Sequence, residues 1–321
     1  MVRNMKYLFL LNPISGSGSA AKLVPIIENE CKKRGLDYEI VKTSSKDDAK
    51  STIDRLAPIC DNLYVYVLGG DGSLFDAVNA AALRKNVSVG IIPCGSGNDF
   101  VRSFGDKKLF LDIAAQLDGK SVPIDLVRHN NDYSVNISSL GMDAEVAHHQ
   151  KRMRLLSKIN GSLSYIVSVF TAFIFNMNNR FKIIADGETL DGTYLFVVIS
   201  NGRFYGGGFQ PTPMSSIRDG YIDLMLINAV SRFKVIQLMN CYREGKHLDI
   251  KGLCKHRRVK RVEVHTEKDM TMQMDGELFC GNSFVFEMIA GGLNFIVPST
   301  VDISTAPCLS NPALEKPLIN A

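Results

Sequence analysis

The chain has 321 residues, of which 45% are hydrophobic and 22% are charged. This length suffices for two domains of ordinary size, and this composition is typical of globular proteins rather than of disordered or membrane-embedded chains. The net charge of only +4 argues against a protein that binds nucleic acid over its whole surface, so no nucleic acid is expected as a partner.

The cysteines and the apolar segments bear on the compartment. The seven cysteines are odd in number and form no C-x-x-C pair, which argues against a disulfide framework and against a zinc site. The apolar stretch 7–11 is too short for a signal peptide, and the run 163–175 is too short to span a bilayer. These features predict a cytoplasmic protein that touches membranes only from outside.

The first 130 residues alternate between two patterns. Strands are predicted at 6–12, 37–43, 62–70 and 87–93, and helices at 16–35, 46–58 and 73–85. Strands rich in Val, Ile and Leu that alternate with helices predict an α/β domain whose parallel sheet is covered on both faces. Ligands of such sheets bind beyond the carboxyl ends of the strands.

The second half is β-rich. After a predicted helical stretch at 145–176 come short strand patterns at 180–186, 193–201, 221–228, 259–266, 270–277, 284–291 and 294–298, with a helix at 231–246. They predict an antiparallel, sandwich-like C-terminal domain with helices. We place the boundary near 127–133, which gives domains of 1–127 and 128–295. From Ser299 onward the prolines and the lack of periodicity predict a loosely held tail.

Three glycine-rich loops follow predicted strands. They read LLNPISGSGSA (10–20), LGGDGSLFDA (68–77) and IPCGSGNDFVR (92–102), and each ends where a helix begins. Backbone N–H groups and the helix dipole form an anion site at such positions, and three of them at one sheet edge favour a nucleotide or phosphate ligand. Within the second loop, Asp71 is either a metal-directed carboxylate or a turn or N-cap residue.

The common nucleotide fingerprints are absent. Neither G-x-x-x-x-G-K-[ST] nor a G-x-G-x-x-G with its acidic partner occurs, and the H-R-D and D-F-G elements of protein kinases are missing.

Six motifs carry a resemblance to a known family. They are NPISG, GGDGS…VN, PCGSGNDFVR, VNISSLGMDAEV, NGRFYGGGFQPTPMSSIRDGYIDL and MDGE. In this order they resemble the diacylglycerol kinase catalytic family of bacterial lipid kinases, which is related to sphingosine and ceramide kinases. The resemblance covers about residues 5–298. Ser73 and Ser96 stand where the family usually has threonine, and serine keeps the hydroxyl.

The resemblance implies an ATP site and a catalytic Mg²⁺. The implied ATP-binding residues are Asn12, Pro13, Ser15, Gly16, Thr43, Gly69, Gly70, Asp71, Gly72, Ser73 and Ser96. Donors that converge on a triphosphate suit phosphoryl transfer, which depends on positioning and on charge neutralisation. Asp71 repels phosphate directly, so the resemblance implies that Asp71 and Asp125 hold Mg²⁺ through water.

Two further acidic segments belong to the resemblance. The pair Asp275-Gly276 predicts a two-residue hairpin turn, whereas the resemblance makes Glu277 the general base, with Asp275 completing the acidic network. The sequence leaves open which carboxylate is the base. The family also has a structural magnesium, held here by Asp219 and the carbonyls of Ser216 and Tyr221, and a plain Asp-Gly turn is the alternative.

Membrane contact is expected for an enzyme whose substrate is a lipid. The basic segments 148–159 and 255–261 are candidates for attracting anionic headgroups, with solvated surface as the alternative. The apolar segment 162–176 suits a core helix or one wall of an acyl-chain cavity. The resemblance also implies that the segment 296–309 returns to the first domain, which leaves 310–321 as a flexible tail.

The sequence therefore predicts an ATP- and Mg²⁺-dependent lipid kinase with its active site between two domains. It would transfer the γ-phosphate to a lipid hydroxyl, converting diacylglycerol to phosphatidic acid or acting on a related lipid. We expect a cytoplasmic protein associated peripherally with the membrane, and an exposed strand edge would permit a homodimer. The alternatives are a NAD kinase and a non-catalytic nucleotide- or lipid-binding protein on the same scaffold.

Overall fold

The computed structural model describes residues 4–13, 15–142, 144 and 178–309. Within them the chain divides into two units. The first unit comprises the residues up to Leu126, the segment Ser216–Asp219 and the residues from Ile289 onward. The second unit comprises Val127–Ser215 and Gly220–Met288. The predicted helical stretch at 145–176 and the predicted tail at 310–321 lie outside the described residues.

The first unit has an α/β architecture, with a sheet and six α-helices in the described residues. Its strands are β1 (Met5–Leu11), β2 (Tyr38–Lys42), β3 (Asn62–Gly69), β4 (Val87–Pro93) and the first part of β5 (Lys120–His129). Its helices are α1 (Ser19–Lys22), α2 (Val24–Lys33), α3 (Asp47–Leu56), α4 (Asp71–Ala81), α5 (Asp99–Arg102) and α6 (Ile113–Leu117). Strands β1 to β4 are parallel in the order β4-β3-β1-β2, which confirms the predicted parallel sheet.

Buried apolar side chains fix the register of this sheet. Leu8 lies opposite Val65, and Val65 lies opposite Val89; all three side chains are buried. The carboxyl ends of β1, β3 and β4 therefore lie side by side, and the loops that follow these strands all start from the same edge of the sheet.

The second unit is built of antiparallel strands, a described α-helix and a 3₁₀ helix at Lys246–Asp249. Its elements are the end of β5, β6 (Asp132–Ser134), β7 (Ile137–Gly141), β8 (Asn179–Ala185), β9 (Glu188–Thr189), β10 (Gly192–Ser200), β11 (Ile222–Asn228), α7 (Arg232–Arg243), β12 (Cys254–Val259), β13 (Arg261–Met274) and most of β14 (Glu277–Val297). The order β12-β11-β10-β7-β13-β14 is antiparallel throughout, as the sequence predicted.

Strand lengths differ from the prediction. Most of the predicted strands 259–266 and 270–277 forms one strand, β13, because a shift of register between His265 and Met270 absorbs the charged residues between them. Val259 instead ends β12, and Glu277 begins β14. Likewise β14 runs from Glu277 to Val297 without the predicted break. Its end enters the first unit, where Phe295 pairs with Val89 of β4.

The predicted helix 16–35 is broken. A 3₁₀ turn at Ser15–Gly18 leads into α1, and α2 starts only at Val24. Pro25 stands in the first turn of α2, where its missing N–H costs nothing; a continuous helix would lose a hydrogen bond there and clash with the preceding turn.

The segment after β14 is anchored to the first unit. Ser299 N–H donates to the Ala115 carbonyl at 2.9 Å, and Ile217 N–H donates to the Cys308 carbonyl at 2.9 Å. The side chains of Val301 and Cys308 are buried. The expectation of a loose tail from Ser299 is therefore wrong for residues 299–309, because buried apolar side chains hold them in place.

Candidate functional site

The three glycine-rich loops meet in the first unit. The N–H groups of Cys94 and Gly95 both donate to the Gly69 carbonyl, at 2.9 and 3.1 Å, which joins the loops after β3 and β4. A Cβ added to Gly16 would lie 2.1 Å from the Cys94 carbonyl oxygen, so the loop after β1 reaches the same place. The sheet therefore assembles the three loops into one site.

Glycine is required where two of these loops touch. A Cβ added to Gly95 would lie 2.5 Å from the Gly70 Cα, and one added to Gly70 would lie 3.1 Å from the Gly95 Cα. Backbone lies on both sides of this contact, so neither partner can move aside cheaply. The small residues in GGDG and CGSG thus serve the close packing of the loops themselves.

Polar side chains surround the junction of the loops. Asn12 Nδ2 donates to Ser73 Oγ at 3.1 Å, which links the end of β1 to the first turn of α4. Thr43, just after β2, donates its N–H to the Leu11 carbonyl at 2.8 Å. The structure therefore brings Asn12, Thr43 and Ser73 to one sheet edge.

The remaining predicted ATP residues lie in the same loops. Ser15 N–H donates to the Asn12 carbonyl at 3.1 Å, which closes the turn after β1. The exposed members of the set are Pro13, Gly16, Gly72 and Ser96.

Asp71 begins α4 and caps a different helix. Its Oδ1 accepts the N–H groups of Asp99 at 2.8 Å and Phe100 at 3.4 Å, in the first turn of α5. A Cβ on Gly97 would lie 2.7 Å from Asp71 Oδ2. Burial raises the pKa of the Asp71 carboxyl, while these backbone N–H groups act in the opposite direction. Asp71 is not the N-cap of its own helix, because that position is Gly70, and its metal-directed role stays a prediction.

Asp99 lies next to Asp71, and the sequence analysis did not single it out. A Cβ on Gly97 would lie 3.6 Å from Asp99 Oδ2 and 2.7 Å from Asp71 Oδ2, so both carboxylates lie close to this glycine. Arg102 Nε lies 3.2 Å from Asp99 Oδ1. The signal was present in the sequence: an acidic residue at the start of a helix, directly after a glycine-rich loop.

Asp275 occupies the turn between β13 and β14. Met274 pairs with Glu277, and Asp275 and Gly276 have φ values of 50° and 90°. This is the two-residue hairpin turn that the Asp-Gly pair predicts. The turn carries the Asp275 side chain toward the connection between β6 and β7.

The Asp275 carboxylate is held by four donors. It accepts the Ser134 hydroxyl at 2.6 Å, the Val135 and Ile137 N–H groups at 2.8 Å each, and the Asn136 N–H at 3.2 Å. Burial raises the pKa of Asp275 to about 6, against the opposing effect of these donors. Both oxygens are thereby engaged in fixing the segment 134–137. Glu277, half-buried, starts β14 two residues later.

Asp125 and the segment Ser216–Asp219 are connected in the first unit. Asp125 N–H donates to the Ile217 carbonyl at 2.7 Å, and Asp125 Oδ1 accepts the Gly291 N–H at 2.8 Å. Across the described residues, no three His, Cys, Asp or Glu side chains lie close enough together to hold a metal ion. A water-mediated magnesium at Asp71 and Asp125 stays a prediction.

The proposed structural metal also stays a prediction. Ser216 is buried and its hydroxyl donates to the Cys308 carbonyl at 3.2 Å. Tyr221 is exposed, and Arg258 and Lys260 lie over its ring at 4.7 and 5.5 Å. Asp219 is half-buried.

Comparison with known proteins assigns both parts of the chain. Residues 6–129 match the model of the diacylglycerol kinase catalytic domain. Residues 136–297, half of the chain, match the YegS C-terminal NAD kinase beta sandwich-like domain. The chain belongs to the family defined by the YegS C-terminal domain, here joined to a diacylglycerol kinase catalytic domain. The resemblance found in the sequence is thereby confirmed, as is the prediction of a kinase of this type.

Relatives of this kinase are similar over most of their length. A diacylglycerol kinase of Mycobacterium tuberculosis is 29% identical over 286 residues, which is 86% of this chain and 89% of the relative. A "Probable lipid kinase YegS-like" of Shewanella frigidimarina is 28% identical over 259 residues, 78% of this chain and 80% of the relative. The crystal structure of a diacylglycerol kinase from Bacillus anthracis shares the fold, with a TM-score of 0.68 at 18% identity, over 94% of this chain and all of that one.

The basic segment 255–261 of the kinase has partners within the second unit. Arg257 Nε lies 3.6 Å from Glu188, Lys255 lies over the Tyr194 ring at 5.9 Å, and Arg261 lies 3.1 Å from Glu263. Much of its charge is thus compensated internally. The other basic segment, 148–159, lies outside the described residues. In the part of the chain that the structure describes, no helix has the length and apolar character needed to cross a membrane.

Proposed function

We propose that this chain is an ATP- and Mg²⁺-dependent lipid kinase that transfers the γ-phosphate of ATP to the hydroxyl of diacylglycerol or a related lipid. The observation that carries the proposal is the junction of three glycine-rich loops beside Asp71, at the carboxyl edge of a parallel sheet. The names of the relatives support the acceptor class, since several are diacylglycerol kinases.

The first unit would bind ATP. The backbone N–H groups of the glycine loops and of the N-terminus of α4 carry partial positive charge, which attracts phosphates. Asn12, Thr43 and Ser73 add polar side chains at the same edge. These groups would hold the triphosphate in place, and in phosphoryl transfer most of the catalytic effect comes from such positioning.

Magnesium fits the acidic pair at Gly97. Asp71 and Asp99 each place one carboxylate oxygen close to this glycine, while the other oxygen of Asp99 pairs with Arg102. Mg²⁺ prefers such hard oxygen ligands together with water. When bound, the ion would neutralise charge on the phosphates. Burial raises the pKa of the Asp71 carboxyl because it disfavours the ionised form. A bound cation beside Asp71 would stabilise that ionised form. Asp125 is the further acidic residue that the family resemblance adds.

The second unit would supply the base. The family resemblance assigns this role to Glu277, whereas the Asp275 oxygens accept hydrogen bonds from Ser134 and from the backbone N–H groups of 135–137. Glu277 would accept the proton of the lipid hydroxyl as the hydroxyl oxygen attacks the γ-phosphorus, with ADP leaving. Asp275 would act as a positioning residue, holding the turn that carries Glu277. A positioned base contributes roughly 10²–10⁴ in rate.

Transfer of label from γ-labelled ATP to lipids in mixed micelles with Mg²⁺ tests this function. Diacylglycerol, a sphingoid base and a polyprenol serve as acceptors, and NAD tests the alternative chemistry. Asp71→Asn should abolish transfer, whereas Asp47→Asn, at an exposed position in the first turn of α3, should leave it unchanged. Label on NAD and on no lipid would contradict the proposed acceptor. Full activity of Asp71→Asn would contradict the site.

A further inference from the structure

Helix α7 of the second unit presents apolar side chains to solvent. Phe233 is 81% exposed, more than any other large hydrophobic side chain in the described ranges, and Ile236 is 52% exposed. They stand three residues apart and therefore share one face of the helix. We call these two side chains the α7 apolar pair.

The opposite face of α7 already forms the core contact. Val235 is buried, and Leu238, Met239 and Tyr242 pack against the same apolar cluster on β10 and β11. A surface helix with its core face satisfied normally carries polar residues on the outer face. The α7 apolar pair departs from this rule, because neither side chain belongs to this apolar cluster.

The charge around the pair has one sign. Arg232, Lys234 and Arg243 are on α7, and the sequence has no Asp or Glu from 229 to 243. Arg232 and Lys234 flank Phe233, and the first acidic residue after Asp223 is Glu244, just past the end of α7. Cations beside outward apolar side chains are a feature that α7 shares with helices lying in the headgroup region of a bilayer. Cations near an anionic surface each add about 1 kcal/mol of attraction.

We infer that α7 docks the protein on bilayers that contain anionic lipid, with Phe233 and Ile236 entering the boundary between headgroups and acyl chains. The inference rests on the proposed function in one respect: an enzyme acting on a membrane lipid needs a docking surface. A second copy of the chain is the less suitable occupant. Two α7 helices would bring like charges together, and two side chains per copy fall far below the roughly 800 Å² per partner of a stable interface.

Sedimentation with vesicles tests the docking surface directly. The double variant Phe233→Ala with Ile236→Ala should bind phosphatidylserine-containing vesicles about tenfold or more weakly than the unchanged protein, because it loses most of the buried apolar area. Ile59→Ala is the matched control: Ile59 is 64% exposed on the first unit, and its loss should leave binding unchanged. Lys234→Gln should weaken binding to these vesicles and leave the weaker binding to phosphatidylcholine vesicles as it was.

Unchanged vesicle binding by the double variant would overturn the inference. So would a dimer in solution that the double variant converts to a monomer, since the pair would then cover a second copy. The variants should fold normally, because both side chains lie outside the core; unfolding curves in urea confirm this.

Activity separates this inference from the proposed function. With a short-chain diacylglycerol dissolved as monomers, the double variant should match the unchanged protein, whereas with long-chain diacylglycerol in anionic vesicles its rate should fall about tenfold. If the double variant matched the rate of the unchanged protein with long-chain diacylglycerol in anionic vesicles as well, the docking role would be overturned. If the unchanged protein phosphorylates no lipid while vesicle binding still depends on the pair, the proposed function fails and the docking surface stands.

Discussion

Replacement of Asp275 separates a positioning role from a catalytic one. Asp275→Asn keeps the turn, because asparagine tolerates the left-handed backbone that φ of 50° requires. It replaces one acceptor oxygen by an amide group that faces a backbone donor at 2.8 Å, either Val135 or Ile137. One buried donor left without an acceptor lowers the free energy of unfolding by about 1–3 kcal/mol. Asp275→Ala should cost more, since every donor loses its acceptor.

The assay compares this variant with Glu277→Gln. Urea unfolding gives the free energy of unfolding, and transfer of label from ATP gives kcat at a temperature where both variants are folded. We expect Asp275→Asn to lose stability while keeping kcat within about tenfold, and Glu277→Gln to keep stability while kcat falls by about 10²–10⁴. The reverse pattern, with stable Asp275→Asn inactive and Glu277→Gln active, would refute the assignment of the base.

Three further predictions concern the loops and two buried groups. Gly95→Ala should lower kcat/KM for ATP by about 10², because its Cβ would press on the Gly70 backbone and move the phosphate loops, whereas Gly281→Ala, whose Cβ would have its nearest neighbour at 3.7 Å, should change nothing. The pKa of Asp275 is raised to about 6, so the folded protein holds the carboxyl proton more tightly than the unfolded chain does. The contribution of Asp275 to the free energy of unfolding should therefore fall as the pH rises from about 4 to about 6. This dependence on pH should vanish in Asp275→Asn. Burial lowers the pKa of His247 to about 4, so the free energy of unfolding should fall as the pH drops from about 6.5 to about 4. His247→Gln should remove this fall. The same dependence of the free energy of unfolding on pH in both proteins would contradict the prediction.

Local patterns predicted the first unit well. Buried runs such as VYVLG and VGIIP read as parallel strands because both faces of the sheet are covered, and glycines after them marked the loops that meet. Strand β7 was not predicted, because Ser138 and Ser139 break its apolar pattern. Both are fully buried, and Ser139 accepts a hydrogen bond from Gln273 at 2.9 Å.

Contacts between distant segments could not be predicted in this way. The segment Ser216–Asp219 belongs to the first unit through bonds such as that of Ile217 to Cys308, 91 residues onward. The Asp-Gly turn at 275 was visible in the sequence, yet the donors that hold its carboxylate come from residues 134–137. Asp99 lies beside Asp71 only because two loops pack through glycine.

The stoichiometry of phosphate transfer tests the central claim most directly. The purified protein is incubated with ATP, Mg²⁺ and diacylglycerol, and ADP and phosphorylated lipid are both quantified by mass spectrometry. Lipid kinase activity predicts one phosphorylated lipid for each ADP, with both products lost in Asp71→Asn. ADP that forms without phosphorylated lipid, or with phosphate found on NAD, would contradict the account.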